Sequence, residues 1–177
     1  MAPRIVVLGI GNVLMGDDAV GPHLVKLLEA GWEFPPEVSV VEAGTPGLDL
    51  TVFLHDVAAA VVVDAVRARG AAPGEIRRYD LEALLAKSPV MAMSPHEPGL
   101  REALLTLDFT GGGPRQVRLI GIVPGAVETG AGLSEAVRGA LPALLEAVLS
   151  ELAAMGAAPR QRVRPSEPDL WWERGRG

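Results

Sequence analysis

The stretch Ala58-Ala59-Ala60-Val61-Val62-Val63-Asp64 is apolar at every position until an acid ends it. A strand with no polar face has to be buried on both sides, at the centre of a sheet with helices above and below. Other runs fall into place around it. Arg4–Gly9, Val38–Glu42 and Gln116–Val123 read as strands, and Glu75–Tyr79, charged at alternate positions, reads as an edge strand. Helical stretches alternate with them. One starts near Asp17 or Asp18 and aligns Val20, Leu24, Leu27 and Leu28 on one face; Leu48–Leu54, Leu81–Ala86, Leu100–Leu107 and Ser134–Met155 follow. This alternation predicts an α/β domain with a largely parallel sheet.

A chain of 177 residues, 49% apolar, suffices for one domain with a sizeable core. A formal charge of −6 argues against nonspecific binding to nucleic acid or to an anionic membrane. The lack of cysteine removes disulfides, thiolate nucleophiles and cysteine-ligated metals together. No run approaches the ~18 apolar residues of a membrane span. The chain reads as soluble, cytoplasmic and monomeric, without membrane insertion or a nucleic-acid partner. Its strand and helix pattern closes by Met155, so residues 1–157 are expected to be one domain that folds without the rest. Residues 158–177 hold Pro159, Pro165, Pro168, five arginines and the pair Trp171-Trp172, the composition of an irregular tail. Its prolines and terminal Gly-Arg-Gly favour a disordered extension, against which adjacent indoles, costly in water, are apt to dock on this domain, a second copy or a partner.

Three side chains stand out by position. In an open α/β sheet, ligands bind beyond the carboxyl ends of the strands, where the strand order reverses. Asp18 follows the first strand and Asp64 ends the third; a 2-1-3 order makes those strands neighbours at the reversal point. An unpaired buried carboxylate costs several kcal/mol, so an acid ending so apolar a strand calls for a partner or a metal. His96 lies in Ser94-Pro95-His96-Glu97-Pro98, where two prolines are expected to bar a regular helix. Two carboxylates and an imidazole form a hard-to-borderline divalent site, the nitrogen favouring transition metals. Asp17 is read as a helix cap or a solvated acid, and His23 and His55 as surface or half-buried structural residues.

Rival readings fit less well. Gly9-Ile10-Gly11 after a strand suggests a nucleotide fingerprint, but its third glycine would fall at Leu14, and Asp17 and Asp18 would repel a pyrophosphate. A phosphoryl-accepting receiver wants a lysine after its last strand, where this chain has Pro124-Gly125. Neither a Gly-x-Ser-x-Gly elbow nor a His-Glu-x-x-His motif occurs.

The segment from Gly9 to Gly21, Gly-Ile-Gly-Asn-Val-Leu-Met-Gly-Asp-Asp-Ala-Val-Gly, resembles the opening signature of the hydrogenase maturation endopeptidases. That family trims the C-terminus of the nickel–iron hydrogenase large-subunit precursor. Glu42-Ala43-Gly44-Thr45-Pro46-Gly47, Val63-Asp64-Ala65, Ser94-Pro95-His96 and Gly121-Ile122-Val123-Pro124 follow in matching order, so the resemblance spans about residues 4–155. It implies a three-layer α/β/α sandwich with a twisted, mostly parallel five-stranded sheet. It also places the family's metal-contacting positions, the catalytic candidates, on Asp18, Asp64 and His96. Glu42, Gly44 and Thr45 fall in the substrate-selecting loop, where Ala43 replaces a family glycine. The implied substrate is a nickel-loaded precursor, cut after a basic residue near its last metal-binding cysteine. Nickel would arrive with that precursor, and other divalent metals are expected to substitute. A non-catalytic nickel-binding assembly factor would use the same site.

Overall fold

In a computed structural model, which describes residues 4–45, 49–86, 96–130 and 132–174, the β-branched run Ile5–Ile10 forms strand β1. A 3-10 turn, Gly16–Ala19, leads into α1 (Val20–Gly31). After it come β2 (Trp32–Glu33), β3 (Val38–Gly44), α2 (Thr51–Leu54), β4 (Ala59–Ala65), β5 (Ile76–Asp80) and α3 (Leu81–Leu85). Then follow α4 (Glu97–Thr110), β6 (Gln116–Ile122), α5 (Glu135–Ala154), β7 (Arg160–Gln161) and a last 3-10 turn, Trp171–Glu173.

Five strands form one sheet in the order β3-β1-β4-β6-β5, parallel throughout except for β5, which runs antiparallel to β6. The apolar run occupies the centre as expected, and every residue of β4 is buried. Strand alternation divides the core. Ile5, Val7, Val61 and Val63 join Leu24, Leu28, Val137 and Leu144 of α1 and α5. Val6, Leu8, Ala60 and Val62 join Leu54, Leu84, Leu104 and Leu107 on the side of α2, α3 and α4. The result is the expected three-layer α/β/α sandwich.

Helix α1 lies against the end of β1 at backbone contact. A Cβ on Gly9 would sit 2.3 Å from the Gly21 carbonyl oxygen, and one on Gly21 would sit 2.2 Å from that of Ile10. This approach sets the turn carrying Asp18 directly beyond the strand. Among the described residues, no helix is long and apolar enough to cross a membrane.

One local expectation differs from the structure. His96 is the N-cap of α4, and Pro98 lies in that helix's first turn instead of barring it. A proline there loses only an N–H that has no intrahelical acceptor. Pro142 lies inside α5, within the predicted span. Pro46, Gly47, Leu48, Ser94 and Pro95 lie outside the described residues.

Residues 160–174 run back along α1. β7 pairs with β2, opposing Gln161 to Trp32 and Arg160 to Glu33. The backbone N–H groups of Arg162 and Ser166 donate to the carbonyls of Gly31 (2.8 Å) and Ala30 (3.0 Å), two acceptors that the end of α1 leaves open. Trp172 is buried, its ring 6.4 Å from that of His23 in an edge-on contact. The indole pair thus docks on this domain through Trp172, while Trp171 stays half exposed.

Candidate functional site

Parallel pairing of β1 with β4 brings the carboxyl ends of both strands together. Past β1 the chain must double back sharply. Gly11 has φ +144°, and a Cβ there would fall 1.8 Å from the Asp18 carbonyl oxygen, so only glycine fits. The turned-back Asp18 carboxylate accepts the Asn12 N–H at Oδ2 (2.8 Å). Asp64, near the end of β4, accepts the N–H of Ala65 at Oδ1 (2.9 Å). By alternation it shares the face of Ala60 and Val62, which is the face that α4 covers.

Helix α4 delivers His96 from its N-cap. His96 Nδ1 lies 3.0 Å from Asp64 Oδ1, and Nε2 lies 3.7 Å from Asp18 Oδ2. All three residues are buried, and one ligand atom from each falls within 4.8 Å of the others. Burial lowers the affinity of His96 for its proton. The hydrogen bond and charge of Asp64, with the charge of Asp18, outweigh that effect, and the net pKa lies above its ordinary 6.5.

The expected substrate-selecting residues lie on the flank of β1. Glu42 stands opposite Gly9 in the sheet and its carboxylate is 3.7 Å from Lys26 Nζ. Gly44, at φ +72°, accepts the Gly11 N–H through its carbonyl (2.9 Å), which joins this loop to the Asp18 turn. Thr45 is exposed. The other histidines stand apart from the cluster. His55 is exposed and pairs with Asp56 at 3.1 Å. His23 is more buried than expected, because Trp172 covers it. Burial lowers its pKa, with Glu173 opposing and Arg138 reinforcing the shift.

Asp17 was not legible as a site residue. It is fully buried, and its carboxylate accepts the backbone N–H groups of Gly125 (2.6 Å), Ala126 (2.9 Å) and Ser134 (2.6 Å). The available signal was Pro124-Gly125 after β6, the start of a loop whose N–H groups need acceptors. A groove of about 350 Å³, lined by Arg67, Ala68 and Val123 to Val127, opens beyond the ends of β4 and β6.

Residues 22–151 match the family described as hydrogenase maturation protease. The hydrogenase 2 maturation protease of Escherichia coli K12 is 33% identical over 165 residues, covering 90% of this chain and 98% of that protein. The hydrogenase expression/formation protein HupD of Rhizobium leguminosarum is 34% identical over 91% of this chain and 80% of its own length. Among solved structures, the hydrogenase maturating endopeptidase HybD from E. coli superposes with a TM-score of 0.82. It is 32% identical, over 90% of this chain and 98% of that one.

Proposed function

The chain belongs to the hydrogenase maturation proteases, and from that premise we propose that it removes the C-terminal extension of a nickel-loaded nickel–iron hydrogenase large-subunit precursor. Asp18, Asp64 and His96 engage the metal that the precursor carries. The observation supporting this reading is their convergence at the carboxyl ends of two adjacent strands, with one donor atom from each inside 4.8 Å.

The donors suit such a cation. Two ligand atoms about 2.1 Å from a tetrahedral metal lie ~3.4 Å apart, close to the 3.7 Å between His96 Nε2 and Asp18 Oδ2. Asp64 lies 3.0 Å from Nδ1 of the same ring, so the imidazole stands between the two carboxylates and within reach of both. Three protein donors leave positions for groups of the substrate. A metal held there supplies Lewis acidity, polarising a scissile carbonyl or acidifying an attacking water. Buried walls keep bulk water from competing for the donors. Glu42, Gly44 and Thr45 form the neighbouring rim, where the precursor is selected.

The test is incubation of the purified protein with nickel-loaded precursor, followed by mass spectrometry for a released C-terminal peptide. Release supports the endopeptidase reading. Nickel-dependent association with the precursor and no released peptide would favour an assembly factor instead.

A further inference from the structure

Asp17 is not one of the clustered donors, yet it is the more deeply buried member of the acid pair. A capping aspartate accepts N–H groups from its own first turn. Asp17 instead takes three from residues 108, 109 and 117 positions away in sequence. Its own N–H donates to the Ala126 carbonyl at 2.9 Å. The seam continues where Met15 bridges Thr129 and where the Gly130 N–H donates to the Leu14 carbonyl (2.9 Å). Charge-assisted bonds this short are among the stronger ones a fold can make.

Asp18 is the next residue in the same four-residue turn. Its position is therefore set from both sides, by the Asn12 N–H on its own carboxylate and by the anchored neighbour. The segment that Asp17 holds also supplies Gly125 and Ala126 to the wall of the groove beyond Asp64.

We propose that Asp17 is a positioning residue whose carboxylate holds Asp18 at ligand distance from His96 and fixes the Gly125–Ala126 wall of the adjoining groove, coupling metal occupancy to the order of that wall. The inference rests on Asp18, Asp64 and His96 being a metal site. Coupling is reciprocal: whatever holds the wall tightens metal binding, and metal binding holds the wall.

Two variants separate position from charge. Asp17→Asn keeps the size but turns an NH2 toward backbone donors. Asp17→Glu keeps the charge but is one methylene too long for an enclosed site. In calorimetric titration with zinc alone, each is expected to bind about tenfold or more weakly than the unaltered protein, the usual effect of losing a supporting partner. Unaltered affinity in Asp17→Glu beside a loss in Asp17→Asn would reduce the effect to charge and overturn the inference. A second measurement needs no variant. Zinc should slow hydrogen exchange at the amides of Gly125, Ala126 and Ser134 at least about threefold in the unaltered protein, and unchanged exchange would also overturn it. If the unaltered protein binds no zinc, the metal-site reading falls and the inference with it; full affinity in both variants removes the inference alone.

Discussion

Replacing Trp172 by alanine tests whether the segment after Ala158 contributes to the stability of the domain. The indole is 6% exposed and packs edge-on against both His23 and Trp171. A tryptophan buries roughly 200 Å², worth ~5 kcal/mol at about 25 cal/mol per Å². Part of that burial persists in a compact unfolded chain, and the remaining alanine keeps a little more, which leaves ~3–4 kcal/mol. Loosening roughly one or two residues of the short turn Trp171–Glu173 returns on the order of 1 kcal/mol for each. A net loss of about 2 kcal/mol follows, which for a chain of this length lowers Tm by ~4–8 °C. Scanning calorimetry measures it, with Trp172→Phe expected to recover half or more. Truncation after Ala158 should cost a comparable amount, since it also removes the β7 pairing and the N–H groups that meet the end of α1. A Tm within about 2 °C of the parent for Trp172→Ala would refute the reasoning and leave residues 1–157 as a self-sufficient unit.

Several further outcomes are expected. His23 has its pKa lowered by burial, so the unfolded chain takes up that proton more readily, and stability falls as pH drops below 6.5. His96 has the opposite sign: its raised pKa adds stability below 6.5 that is lost as pH rises through the folded value. Urea titrations of the metal-free protein should show His23→Gln relieving the acid-side loss and His96→Gln removing the acid-side gain; parallel curves for all three proteins would contradict both assignments. Asp18→Asn, Asp64→Asn and His96→Gln should each abolish precursor processing with unchanged circular dichroism, whereas His55→Gln, at an exposed side chain, should process normally. Gly21→Ala, whose Cβ would meet the Ile10 carbonyl at 2.2 Å, is expected to cost ~3 kcal/mol or prevent folding. Gly139→Ala, on α5 with nothing within 4 Å, should stabilise by ~0.5–1 kcal/mol, and the two shifts can be read from the same melts.

Much of the architecture was legible because it follows from local pattern. Val61, Val62 and Val63 require burial on both faces, and a central strand is where that occurs. Asp18 and Asp64 could be paired before any coordinates, since a 2-1-3 order makes their strands neighbours. Features decided by distant partners were not legible. Asp17 has the composition of a cap, and only the arrival of Gly125, Ala126 and Ser134 reveals its acceptors. Pro98 looks like a helix breaker until the helix is seen to begin at Glu97. The two-residue strands β2 and β7 carry no periodicity of their own, and their pairing depends on the tail running back along α1. His23 is polar and near a helix start, a surface pattern, but Trp172, far along the chain, buries it.

The central claim is that the enzyme reads a metal already in its substrate through Asp18, Asp64 and His96. The most direct measurement compares nickel-loaded with nickel-free precursor at equal concentrations of the unaltered protein, following the released C-terminal peptide by mass spectrometry. Cleavage is expected with the loaded precursor alone, and it should be absent for both forms with Asp64→Asn. Efficient cleavage of metal-free precursor, or release of the peptide by Asp64→Asn, would contradict the account.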